Sequence, residues 1–231
     1  SVRFGNEEFL DGVEITHEEF YTRLAECDEL PKTSQPSPDT FMKVFNEAVA
    51  AGDDVLGIFI SSDLSGTYQS ACLAALDVEE ETEKKLYMVD SRSASIGTAL
   101  LIREAVKLRD AGVNVADIAA ACTEMSKYIK LTAVVGSLKY LKMGGRLSGA
   151  AAFAGTMLHI TPVVSIEDGK VVVIGKTRGK KAAEKLMHDK LIKDGLSLTR
   201  DFMFGHINCS ESLETFINKS LTYISDVNGN V

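Results

Sequence analysis

Tryptophan is absent from this chain, and proline and histidine occur only four times each in 231 residues. No apolar run approaches the length of a bilayer-spanning helix, which argues against integral membrane contact. No signal peptide opens the chain, and Ser1-Val2-Arg3-Phe4-Gly5 reads as the interior of something longer. Positive charge is in short supply: 25 Lys and Arg stand against 33 Asp and Glu, a net charge of -8. Phosphate backbones are bound by clustered Lys and Arg, so the balance argues against a nucleic-acid partner while leaving room for a local basic patch. The four cysteines, Cys27, Cys72, Cys122 and Cys209, are far apart and form no CxxC pair. They read as reduced, buried thiols of a cytoplasmic protein, not as disulfides or zinc ligands. His17, His159, His188 and His206 are scattered, with no Cys, Asp or Glu set at ligand spacing, so no metal is expected. There is no internal repeat, P-loop, GxGxxG, HExxH or GxSxG.

What is present is an ordinary globular composition, 45% apolar and 25% charged, arranged in strand-then-helix order. Val55 to Ile60 reads as a buried strand, and the residues from Tyr68 to Leu76 as a helix. Between them stand Ser61-Ser62-Asp63-Leu64-Ser65-Gly66-Thr67, a polar turn at the carboxyl end of a strand. Open α/β sheets bind ligands at such turns, and the free N–H groups of the following helix suit an anion. An ordinary βα turn with a Ser cap explains the same residues. Asp77 to Lys85 reads as a charged loop, and Leu86 to Val89 as a second strand that also ends in a polar run, Asp90 to Gly97. Helices follow, one through Leu101, Ala105 and Leu108, the next capped by Asn114 or Asp117 and carrying Ile118, Cys122, Met125 and Ile129. The βαβα order implies a parallel sheet.

The flanks carry their own signals. Thr16 with Glu19 is a capping box for a helix that Leu30-Pro31-Lys32 ends. Ser37 and Pro38 start the next helix, with Phe41, Phe45 and Ala48 as its buried stripe. Capping leaves Thr33, Ser34 and Gln35 unexplained: they are solvated loop residues or a ligand contact. Beyond Lys130 the pattern changes, and we expect a boundary there between units 1–130 and 131–231. Leu131 to Gly136 reads as a strand, Ser137 to Met143 as a helix, and Gly144-Gly145 as its cap. Arg146 lies past both glycines and is free to aim elsewhere. Ala150 to Leu158 is small and apolar, suited to close packing or to making room for a ligand. Glu167-Asp168-Gly169-Lys170, between two β-branched runs, is a hairpin signal. Lys176, Arg178, Lys180 and Lys181 crowd the next helix start, by default a solvated face. Phe202 to Ile207 reads as a strand, and Ser210 caps the last helix.

Five of these blocks occur together and in order: Thr33-Ser34-Gln35-Pro36-Ser37-Pro38, Ile60 to Ala71, Val89-Asp90-Ser91, Leu141-Lys142-Met143-Gly144-Gly145-Arg146-Leu147-Ser148, and Lys176-Thr177-Arg178-Gly179-Lys180-Lys181. So arranged, the chain resembles the DegV family of bacterial fatty-acid-binding proteins. The resemblance implies a two-domain α/β fold with one long-chain fatty acid buried between the domains. It also implies a carrier that presents the acid's carboxylate to a separate fatty acid kinase, with no cofactor besides that ligand. In the family, the Thr of the first block and a Ser of the second hold the carboxylate; the matching positions are Thr33 and Ser65, with Ser34 and Gly66 beside them. The Arg after the two glycines, here Arg146, is implicated in work with the kinase. Two departures are visible: the usual Lys before the proline is Thr161, and no Gly-rich, His-bearing segment closes the chain.

The chemistry agrees with a carboxylate binder. Two hydroxyls each donate one hydrogen bond to the anion, worth about 1.5–3 kcal/mol apiece, and each buried CH₂ of a tail adds roughly 0.8 kcal/mol. The competing readings are a serine hydrolase or phosphoryl-transfer enzyme using Ser65, for which no base is evident nearby in sequence, and a module that senses a small acid.

Overall fold

The computed structural model describes residues 1–149, 160–196 and 200–228. The apolar stretch Ala150 to Leu158, His159 and the last residues lie outside it. Among the described residues, eight strands form three small sheets. The first was not foreseen. Strands β1 (Val2–Phe4) and β2 (Glu7–Phe9) make a hairpin around Gly5, and β3 (Lys32–Thr33) pairs with β1. The Gly5-Asn6 pair between alternating residues was the available signal. Helix α1 (His17–Glu26) has the expected capping box, Thr16 with Glu19, and its Phe20 packs on Val2, Phe4 and Ile15. It ends at Glu26, short of Pro31, because Cys27 turns to an extended conformation.

The second sheet pairs β4 (Leu56–Phe59) with β5 (Tyr87–Asp90) in parallel, as the βαβ order implied. Alternation along the strands sends side chains to opposite faces. Phe59 and Met88 meet α2 (Pro38–Ala50) and α3 (Thr67–Thr82); Leu56, Ile58, Tyr87 and Val89 meet α4 (Ile96–Asp110) and α5 (Val115–Met125). The β4 residues are half-buried, not buried as expected, because the described sheet has two strands and leaves an edge. Helix α3 overruns the expected charged loop. Val78 is fully buried against α2, and that packing carries the helix through Asp77 to Thr82, where Glu83 stops it in a left-handed conformation. Ile129 lies past the end of α5.

The third sheet is antiparallel, in the order β6 (Leu131–Val134), β7 (Thr161–Glu167), β8 (Lys170–Thr177). The β7–β8 turn has Asp168 and Gly169 both at positive φ, 47° and 81°, the geometry that Asp-Gly favours in a two-residue hairpin. One face packs on α7 (Lys180–Lys193) through Val163, Ala183 and Met187. The other buries Val164, Ile166 and Val171 with Leu138 and Leu147, beside α6 (Lys139–Met143). Leu64 and Ala94, from the loops after β4 and β5, belong to that same cluster.

Two expectations near the end fail. Phe202 to Ile207 is not a strand. Contacts with helices are made around it instead: Phe204 meets Phe216 of α8 (Leu213–Asn228), Gly205 lies against Ile96, and the preceding Asp201 pairs with Lys107 and Arg103 of α4. Strand propensity depends on context, and tertiary packing overrides it. Ser210 stands inside a 3₁₀ turn, Ser210–Ser212, and not at the position next to α8, which begins at Leu213. Of the four cysteines, only Cys122 is buried; Cys27 and Cys72 are half-buried and Cys209 is exposed.

Candidate functional site

The carboxyl ends of β4 and β5 bring two polar loops side by side. Ser61 begins the first. It is fully buried, its N–H donates to the Ser93 carbonyl (2.8 Å), and its own carbonyl accepts from Leu64 and Ser65 (3.0 and 3.1 Å). The result is a tight turn that delivers Ser65 half-buried at the start of α3. The only hydrogen-bond partner that the described residues offer the Ser65 hydroxyl is Thr67, through Oγ1 at 2.9 Å and N–H at 3.4 Å.

Helix α3 has no side-chain cap. The Ser cap that a plain turn would use is absent, and Gly66 occupies the N-cap without one. No acidic residue sits in the first turn, so its N–H groups and positive dipole end favour an anion. The bare Cα of Gly66 has a second reason: a Cβ there would sit 2.6 Å from Nε2 of Gln35. That contact, with Ser70 Oγ donating to the Pro36 carbonyl (2.7 Å), lays residues 35–36 across the start of α3.

Thr33 lies two residues before Gln35. It is not in a free loop, as expected, but in β3, paired with Val2, and its side chain is exposed. Ser34 faces the other way: its N–H donates to the Ser1 carbonyl, and its hydroxyl bonds that of Ser1 at 2.7 Å. Arg146 comes to the same loop from the second half. Its Nε donates to the Leu64 carbonyl (3.1 Å) and Nη1 to the Gly144 carbonyl (2.6 Å), with the side chain exposed.

The β5 loop closes the rear. Asp90 accepts from the N–H groups of Ser62 (3.3 Å) and Arg92 (2.8 Å). Tyr68, in the first turn of α3, is held neutral: burial, a hydrogen bond with Cys72 and the nearby Asp90 charge push its phenol up to about 12. The described histidines are engaged elsewhere. His188 is buried, bonds Ser220 (2.9 Å) and stacks on Tyr223 and Phe216, and burial lowers its pKa. His206 accepts from Cys209 N–H, and His17 is exposed. Among the described residues no His, Cys, Asp and Glu group is placed to hold a metal. Lys180 and Lys181 line a separate concavity of about 490 Å³ with Thr215, Phe216 and Lys219, around the buried Glu184.

The comparison with known proteins adds the lineage. A sequence profile described as "Uncharacterised protein, DegV family" matches residues 1–227. The chain belongs to the DegV family. A DegV domain-containing protein of Clostridium acetobutylicum is 36% identical over 95% of this chain and 78% of its own length. A solved DegV family protein of Thermus thermophilus, described by its fatty acid binding, superposes with a TM-score of 0.75 at 34% identity, over 85% of this chain and 69% of that one. The fatty acid kinase B3 protein of Streptococcus pneumoniae, solved loaded with linoleic acid, superposes with a TM-score of 0.75 at 26% identity, over 84% and 68%. The DegV fold of mixed parallel and antiparallel sheets is therefore this chain's fold. No helix among the described residues is long and apolar enough to cross a membrane.

Proposed function

We propose that this chain binds a long-chain fatty acid between units 1–130 and 131–231 and presents its carboxylate to a fatty acid kinase. The observation that carries the reading is Ser65: a half-open hydroxyl at an uncapped helix start, in a chain whose DegV relatives are solved with fatty acids. Thr33 and Ser65 hold the carboxylate, with Gly66 and Ser34 shaping their loops. Hydroxyls suit an anion that must remain reachable, since a paired Lys or Arg would hold it as a salt bridge and slow its release. The tail supplies most of the affinity. Arg146, exposed beside Leu64, serves the kinase. The chain itself acts as a cytoplasmic carrier and not as a hydrolase, a reading supported by the lack of a described base on Ser65.

Native mass spectrometry of the purified protein should show one co-purified long-chain acid. Thr33→Val and Ser65→Ala should each weaken acid binding by about 1–3 kcal/mol. The double change should cost less than the sum, because two hydroxyls on one carboxylate are coupled. Single variants that fold and bind like the parent would reject the assignment. Arg146→Ala should retain bound acid and lose its phosphorylation by the kinase.

A further inference from the structure

The second half touches the Ser65 loop at its root as well as through Arg146. Ser61 Oγ donates to the Gly169 carbonyl, 108 residues away, at 2.8 Å. The same oxygen accepts from Asp63 N–H at 3.3 Å. With the backbone bonds to Ser93, Leu64 and Ser65, every polar group of this fully buried serine is engaged. The hairpin tip is fitted closely to it. A Cβ on Gly169 would lie 2.6 Å from Ser61 Oγ and 3.0 Å from Asp63 Oδ2, and Gly169 also holds φ +81°. Two ion pairs flank the contact, Arg92 with Asp168 (2.9 Å) and Lys170 with Asp63 (3.5 Å). Both are exposed, so they steer the tip more than they hold it. The buried hydroxyl is the part that cannot be replaced by water without opening the contact.

We propose that Ser61 is a positioning residue for Ser65: it converts docking of the β7–β8 hairpin tip into a fixed geometry of residues 61–65. One hydroxyl ties the tip to the turn whose carbonyl holds the Leu64 and Ser65 amides. When the tip leaves, Ser61 loses a buried acceptor, the turn loosens, and Ser65 no longer stands where a bound anion meets it. The contact between the halves thereby sets the affinity of the site. The consequence for the acid rests on the carrier reading; the coupling of tip to loop does not.

The test uses the full chain and two variants that disturb opposite sides of the contact, Ser61→Ala and Gly169→Ala. Amide hydrogen exchange is read at Leu64 and Ser65 and, for reference, along the β4–β5 and β7–β8 ladders. Binding of oleate is measured by calorimetry. We expect exchange at Leu64 and Ser65 to accelerate about tenfold in both variants while the ladders keep their protection, and oleate affinity to fall by about tenfold. A serine that is merely structural would lower protection in the ladders and at Leu64 and Ser65 alike, and that outcome overturns the proposal. So does unchanged exchange at Leu64 and Ser65, or faster exchange there with parental oleate affinity. If Ser61→Ala does not fold, Gly169→Ala decides alone. A parent that binds no oleate rejects the carrier reading, and the exchange measurement still decides whether Ser61 transmits the docking.

Discussion

β4 and β5 lie side by side and run the same way, and each is followed by Ser- and Asp-rich residues that lead into a helix. The two loops put those residues to different uses. After β5, most of the polar groups are spent on one another and on the first loop. Ser91 Oγ bonds Thr98 Oγ1 (2.9 Å) and the Ser93 carbonyl (3.2 Å), and it accepts from Ser93 N–H. Asp90 holds two backbone N–H groups, and Ser91 and Ser93 are buried. Arg92 and Ser95 take positive φ, and the buried Ser93 hydroxyl has no hydrogen-bond partner among the described residues. After β4, Ser61 closes the turn and leaves Ser65 half-open, with Thr67 for company. Composition does not separate these loops; the direction of each hydroxyl does.

If the β5 loop is closed scaffolding, it should tolerate change poorly. Gly97→Val should be the most damaging substitution. A Cβ there would sit 2.1 Å from Ser93 Oγ, 3.1 Å from Ser93 Cβ and 3.3 Å from Ile129. The hydroxyl can rotate away, but its carbon cannot. Overpacking of this kind costs about 2–3 kcal/mol, visible in denaturant unfolding as a lower midpoint.

Ser91→Ala should come next. It strands Thr98 and the Ser93 N–H, and should cost about 1–2 kcal/mol of stability. Acid binding should stay near parental, provided the loop keeps its place. A large loss of affinity at parental stability would blur the contrast between the loops.

A smaller effect lies on the alkaline side. The folded chain keeps the Tyr68 proton up to about pH 12, whereas an unfolded chain releases it near the ordinary value of about 10. The folded state then binds more protons, so this contribution is intact below about pH 10 and is lost as pH rises toward 12. Partial exposure limits it to about 1 kcal/mol. Tyr68→Phe should flatten the fall of melting temperature across that window; an unchanged slope would reject the assignment.

The smallest effect on stability belongs to Ser65→Ala, under about 0.5 kcal/mol, because among the described residues its hydroxyl bonds only a neighbouring threonine. A loss above about 1 kcal/mol would place Ser65 with the closed loop and remove the contrast.

Much of this was legible beforehand because the signals are local. The capping box at Thr16, the Ser37-Pro38 start, a cap at Asn114 or Asp117 and the Asp168-Gly169 turn each follow from two to four neighbouring residues, and each is present, with Asn114 as the cap. Where local signals erred, packing had the larger say. Val78 drew α3 through a run of glutamates, and Phe204 and Gly205 met α8 and α4 in place of a strand partner. Thr33 read as a loop residue because its partner strand, β1, was itself unrecognised.

By itself the sequence determined the order of elements, the parallel pairing of β4 with β5, the hairpin and the blocks that mark the family. These depend on residue type and spacing over a few positions. Only the tertiary structure decided which serine remains open, that Gln35 lies over Gly66, and that Gly169 reaches back to Ser61 across 108 residues. A hydroxyl's partner is set by distance in space, and spacing along the chain carries no record of it.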